Sequence, residues 1–142
     1  MSKLIYVDTN VFVSYLRGEY GNVLTINQEY EGQKLFERTK ECEFTICISE
    51  LVIEEILGVT KLSKESVNAF FKRFTDTGKL FFIADLESAQ NMAAIIASSY
   101  KTPKKDAFHA ACAICTGAIL ITWNIKDFAN IKGLEVLRPN EL

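Results

Sequence analysis

The sequence has no run of 18 apolar residues, two prolines, one histidine and one tryptophan. The first absence argues against a membrane-spanning helix. Neither GxGxxG nor a P-loop occurs, so the two glycine-rich phosphate cradles are missing. Charge of one sign is missing too: 16 Lys and Arg against 18 Asp and Glu leave a net −2, with no general basic footprint for nucleic acid. Met1-Ser2-Lys3 leads directly into an apolar run without a signal-peptide cleavage pattern, so the expected location is cytoplasmic. Among the four cysteines, Cys112 and Cys115 form a CxxC, but Cys42 and Cys47 do not supply the second pair that a zinc site needs. Cys112 and Cys115 lie in what reads as a helix interior, and both are expected to pack as small hydrophobes.

What is present is ordinary globular composition, 49% hydrophobic and 24% charged over 142 residues, enough for one domain with a proper core. Short apolar runs alternate with helical patterns. Strands are expected at Leu4–Val7, Glu43–Ile48, Lys79–Ile83, Ala118–Thr122 and Leu134–Leu137. Helices are expected at Val11–Leu16 (closed by Gly18 and Gly21), Tyr30–Thr39, Leu51–Leu57, Ser63–Thr75, Leu86–Ser98 and from Pro103 to Thr116. Ser63 is a plausible N-cap, and Thr102-Pro103 reads as an N-cap followed by proline at the first helical position. Gly18 to Gln28 is the most loop-like stretch, the expected flap. Strands separated by helices imply right-handed crossovers and a central parallel sheet covered on both faces, an α/β three-layer sandwich.

Ligands of such sheets bind beyond the carboxyl ends of the strands, and there the acids gather. Asp8 ends the first strand in Leu4-Ile5-Tyr6-Val7-Asp8-Thr9-Asn10, where Thr9 and Asn10 shape the turn. Asn124 and Asp127 follow the Ala118–Thr122 strand at the same edge. At about 100° per residue, Glu54 falls in a polar sector with Glu50 and Lys61, whereas Glu55 interrupts an apolar face. Asp106 sits one turn inside its helix, where the dipole favours its charge, and its face is lined by the small Ala110, Ala113 and Gly117. His109 is within reach of Asp106 and is assigned no catalytic role; a lone histidine more often packs. Each acid alone is explained by a cap or a surface. Together they repel, since two charges about 4 Å apart interact by about 4 kcal/mol at an effective dielectric of 20. Mg²⁺ or Mn²⁺, which favour carboxylate oxygens, would relieve that repulsion.

Val7-Asp8-Thr9-Asn10, Ser49 with Val52-Ile53-Glu54-Glu55-Ile56-Leu57, Asp106-Ala107-Phe108-His109-Ala110-Ala111, Thr122-Trp123-Asn124-Ile125-Lys126-Asp127-Phe128 and the tail Gly133–Pro139 resemble, in order, the motifs of PIN domains. The resemblance spans nearly the whole chain. It implies a parallel sheet sandwiched by helices and a Mg²⁺- or Mn²⁺-dependent ribonuclease, with Asp8, Glu55 and Asp106 as metal ligands and Thr122 with Asn124 or Asp127 completing the site. Many members have aspartate where Asn124 stands, so Asp127 is the candidate fourth acid. In size the chain is similar to VapC-type toxins, which implies RNA as substrate, a cognate antitoxin over the groove and a homodimer.

Lys101, Lys104 and Lys105 form a basic rim before Asp106 that is expected to hold RNA phosphates, or else is simply a solvated helix start. Two other functions compete with the nuclease. A phosphatase using Asp8 as nucleophile needs a second acid two residues on, where Asn10 stands. A non-catalytic module that binds RNA or a protein is favoured by Asn124. Phe70, Phe71 and Phe74 are expected in the core.

Overall fold

The computed structural model describes residues 2–19 and 26–142, the side chains of 17–19 and 26–31 excepted. Five strands carry the fold: β1 (Lys3–Val7), β2 (Phe44–Ile48), β3 (Leu80–Phe82), β4 (Ile119–Ile121) and β5 (Val136–Leu137). All pair in parallel, in the order β3-β2-β1-β4-β5. Central β1 has Ile5 opposite Ile46 on one side and Ile119 on the other. Ile5, Tyr6, Val7, Ile46, Cys47 and Ile48 are fully buried, which is why these strands read as continuous apolar runs rather than alternating ones.

Among the described residues six α-helices connect the strands: α1 (Thr9–Glu19), α2 (Ile26–Lys40), α3 (Glu50–Thr60), α4 (Lys64–Thr75), α5 (Leu86–Tyr100) and α6 (Lys104–Thr116). The chain first steps from β1 outward to β3, then returns to place β4 on the other side of β1. With right-handed crossovers, this reversal puts α5 and α6 on the face opposite the earlier helices. It also opens a crevice between the carboxyl ends of β1 and β4, the topological switch point. Phe12 of α1, Phe36 of α2 and Phe70, Phe71 and Phe74 of α4 pack ring against ring with Tyr15, so the phenylalanines of α4 are core as expected. On the other face α6 packs closely through Ala107, Ala110, Ala111 and Ala113, all fully buried. Among the described residues no helix is long and apolar enough to cross a membrane.

Four expectations change. Gly18 does not close the first helix: α1 continues to Glu19, because a single glycine costs a helix only about 1 kcal/mol and Val11, Phe12, Val13 and Leu16 anchor the element. The expected flap is correspondingly shorter, since Ile26–Gln28 belong to α2; Gly21 and the rest of that stretch to residue 25 lie outside the described residues. Pro103 is the N-cap of α6 rather than its first residue, its carbonyl accepting the Ala107 N–H at 2.9 Å. Finally, Cys112 is buried but Cys115 is exposed. The buried stretch of α6 ends at Ala113, and the left-handed turn at Gly117 (φ 70°) leaves the last-turn side chains at the surface. Burial pushes the Cys47 and Cys112 thiols up to about 11 and about 12, so both are inert hydrophobes.

Candidate active site

The switch-point crevice is a cavity of about 400 Å³ lined by Asp8, Thr9, Asn10, Val13, Ser14, Glu55, Val59, Asp106, Trp123 and Asn124. Asp8 arrives on the turn from β1 into α1, Glu55 on the middle of α3, Asp106 on the first turn of α6, and Asn124 on the turn after β4. Four separate elements thus bring together residues as far apart in sequence as 8 and 124.

Asp8 is almost buried, and its carboxylate is held by two donors. The Thr9 N–H lies 2.7 Å from Oδ1, and the Thr122 hydroxyl donates to Oδ2 at 2.9 Å. Burial pushes the Asp8 carboxyl above its ordinary value, further helped by the Glu55 charge, while His109, Thr122 and Thr9 only partly offset it. Thr122 in turn accepts from Asn10 Nδ2 at 3.1 Å and from the Asn124 N–H at 3.1 Å. Asn10 Oδ1 accepts the Trp123 N–H at 3.2 Å. The side chain of Asn10 therefore ties the β1 turn to the β4 turn, which is why a neutral amide rather than a second acid suits this position.

Glu55 projects from the apolar face of α3, while Glu54 is exposed, as the helical phase predicts. Its Oε1 lies 2.6 Å from His109 Nε2 and accepts from the Thr9 hydroxyl at 2.9 Å. Burial alone would raise this carboxyl, but the His109 hydrogen bond and charge, Thr9 and Lys105 together hold it below the usual carboxylate range. His109 is thus not bonded to Asp106, as helical spacing suggested. It is 1% exposed and reaches across to α3 instead. Its Nδ1 lies 2.8 Å from the Tyr6 hydroxyl, which lies 2.9 Å from the Ser49 hydroxyl. One ring joins Glu55 at Nε2 to the Tyr6 hydroxyl at Nδ1, and Tyr6 joins it to Ser49. A buried chain of polar groups from β1, the β2 end and α6 thereby fixes Glu55. Ser49 precedes α3 but makes no side-chain cap, because its hydroxyl is spent on Tyr6.

Asp106 has no such support. Burial raises its carboxyl, and so do the charges of Asp8, Asp127 and Glu55. Asp127 closes the short 3₁₀ turn Ile125–Asp127 and is exposed. It is near enough to act on Asp106, but Asn124 rather than Asp127 stands in the cavity wall. The lysines separate. Lys105 lines a side cavity with Glu54, Glu55 and Val59, while Lys104 lines a groove between α5 and α6 with Ala93, Ala97 and Phe108. Lys101 is exposed at the left-handed residue that ends α5.

The sequence reading missed the work of His109, Tyr6, Ser14 and Trp123. For His109 the signal was there: a histidine in the alanine-rich stretch Ala107–Ala113 must, if buried, satisfy two ring nitrogens. For Tyr6, in an all-apolar strand, nothing in the sequence marked the hydroxyl.

A family model described as PIN domain matches residues 5–134, which include every acid of the cavity. The chain is 30% identical over 141 residues to Ribonuclease VapC1 of Rickettsia felis, covering 94% of each. VapBC2 from Rickettsia felis, solved bound to a DNA fragment from its promoter, superposes with a TM-score of 0.67 at 23% identity, over 95% of this chain and 98% of that one. VapBC-1 from nontypeable Haemophilus influenzae superposes with a TM-score of 0.69 at 18% identity, over 96% and 98%. At these identities the two structures speak for the fold alone, a parallel sheet between helices, while the family model spans the cavity and almost all of the sheet. The chain belongs to the PIN domain family.

Proposed function

We propose that this protein is a divalent-metal-dependent endoribonuclease, the toxin of a toxin–antitoxin pair. The observation that carries the reading is the convergence of Asp8, Glu55 and Asp106, from three separate elements, on one cavity at the switch point. Burial, and after it the charges of Asp8, Asp127 and Glu55, raises the Asp106 carboxyl, which a bound cation would relieve. The donor set fits Mg²⁺ or Mn²⁺, being carboxylate and amide oxygen with no thiol in the wall. Among the described residues no three His, Cys, Asp or Glu side chains close on one ion-sized point; Mg²⁺ is commonly held by one or two carboxylates and several waters. When bound, such an ion supplies a Lewis acid that activates water and steadies charge developing on a phosphodiester.

The protein's own groups hold that arrangement in place. Thr9 N–H and Thr122 aim the Asp8 carboxylate into the cavity, and His109 with the Thr9 hydroxyl keeps Glu55 ionised. Asp106 stands at the helix N-terminus, and Asn124 offers an amide where Asp127 is set back. RNA is the proposed substrate, on the strength of the relation to Ribonuclease VapC1. An antitoxin that covers the cavity and a homodimeric toxin, which the likeness to VapC-type toxins implies, complete the proposal.

The test is cleavage of a mixed pool of structured RNAs in Mn²⁺, Mg²⁺ or EDTA. Activity should require the metal and fall at least about 100-fold in Asp8→Asn, the scale of losing one group aimed at developing charge. Cutting that persists in EDTA would overturn it. Asn124 in the wall favours one second reading, a binding module without chemistry; RNA binding with neither metal binding nor cleavage would select it.

A further inference from the structure

We propose that Trp123 is a stacking platform for one unpaired nucleobase of the RNA, beside the acids that handle its phosphate. The inference rests on the ribonuclease reading and adds how the site grips its substrate. The cavity lining is of two kinds: Asp8, Glu55 and Asp106 are acidic, whereas Val13, Val59 and Trp123 are apolar. A phosphate has no partner among the apolar groups, whereas the π-face of a base does on the indole.

The state of the indole supports this use. Its ring is part-exposed and lines the cavity, yet it is fixed at both ends. The backbone N–H donates to Asn10 Oδ1 at 3.2 Å, and indole Nε1–H donates to the Ser14 hydroxyl at 3.2 Å. The Ser14 hydroxyl donates onward to the Val11 carbonyl at 2.9 Å, within α1. The ring's one donor is therefore spent inside the protein, and only carbon surface remains for a ligand. Such a surface stacks any base and reads none by hydrogen bonding. The platform also shares a frame with the chemistry, because Asn10, which holds the Trp123 backbone, bonds Thr122, which bonds Asp8. A base on Trp123 is thereby placed at a fixed offset from the carboxylates.

Trp123 is the chain's only tryptophan, so fluorescence excited selectively at tryptophan, beyond the absorption of the five tyrosines, reports on this ring alone. The probe is an unstructured 2′-O-methyl RNA decamer with a 5′-fluorescein label, titrated into the wild-type protein with Ca²⁺ in place of Mn²⁺ and checked on a gel to be uncut. Label anisotropy reads binding, and tryptophan quenching reads stacking. Both should change with one Kd. Trp123→Ala should weaken binding roughly 5- to 150-fold, the range for one lost stack, with Trp123→Phe in between. An abasic decamer that loses a comparable factor on wild type, and nothing further on Trp123→Ala, would place the base on the ring. Anisotropy that rises with fluorescence unchanged and Trp123→Phe binding as wild type would overturn the platform and leave the ribonuclease reading standing. No anisotropy change would remove RNA binding and the platform together.

Discussion

Phe12 and Asp8 lie four residues apart, yet the surroundings of the two side chains obey opposite rules. Phe12 is fully buried against Phe36, Phe70 and Phe71, with ring centroids 5.0–6.2 Å away, in a layer that gains from every contact it makes. Asp8 is nearly as buried, but among carboxylates, with its own carboxyl raised. The aromatic layer is built for the folded state. The acidic edge is destabilised in the absence of a counter-charge, and it persists because the layer behind it supplies the rigidity. Stability and function are therefore opposed just before α1 and aligned one turn inside it.

The largest expected effect on folding comes from the stabilising side. Phe70→Ala removes the ring that meets Phe12, Tyr15, Phe36, Phe71 and Phe74. It should cost about 3–5 kcal/mol, a fall in Tm of about 10–15 °C by thermal unfolding. Below its own Tm the variant should bind Mn²⁺ as wild type does. Impaired binding there would mean that the layer and the edge are coupled more tightly than this contrast allows.

His109 belongs to both regions, since it is buried among alanines and ends on a carboxylate. His109→Gln should weaken Mn²⁺ binding about 10- to 100-fold, the usual penalty for removing a group that orients a metal ligand, as measured by calorimetric titration. Tyr6→Phe, one link further back, should do the same to a smaller degree. Tighter binding in His109→Gln would reverse the assignment, and the imidazole would then be competing with the cation for Glu55.

The contrast also separates what the sequence could reveal from what it could not. Parallel strands buried on both faces leave a continuous apolar signal, and glycine and proline mark their connections, so the order of elements and the α/β class were legible. Asp8 and Glu55 stood out because each interrupts an apolar pattern. Asp106 did not, because a first-turn aspartate is ordinary; only its burial, with Asp8 and Asp127 across the cavity, makes it unusual. The partners of His109 were hidden for the same reason. Tyr6 and Glu55 are 103 and 54 residues away, and helical phase relates a residue only to its own helix. The three lysines looked equivalent because adjacent positions on a helix point 100° apart, which decides between two different grooves only once the neighbours of α6 are known.

Asp106 turns the opposition into a reversal of sign. Its folded carboxyl is raised, so ionising it costs more in the folded than in the unfolded protein. In EDTA at pH 7, Asp106→Asn should therefore raise Tm by a few degrees, on the scale of about 1 kcal/mol after allowance for partial exposure. Below the unfolded-state value the carboxyl is protonated in both states and contributes no penalty. The penalty grows as pH rises through the interval between the unfolded and the raised folded values. The advantage of the variant should accordingly shrink as pH falls through that interval. Added Mn²⁺ should stabilise the wild type and leave Asp106→Asn nearly unmoved. An unchanged or lower Tm in EDTA would show that Asp106 is not strained by its neighbours.

The smallest effect divides the basic rim. Lys105 sits beside Glu55 and Val59, next to the acidic cavity, while Lys104 faces the α5–α6 groove on its other side. If RNA crosses the acidic edge, Lys105→Glu should weaken binding severalfold and reduce the salt slope by about 1, the signature of one lost phosphate contact. Lys104→Glu should leave both unchanged, although the two residues are adjacent and carry the same charge. Equal losses in the two variants would mean that the rim acts through its summed field. A loss only in Lys104→Glu would move the path of the RNA into the α5–α6 groove, away from the carboxylates altogether.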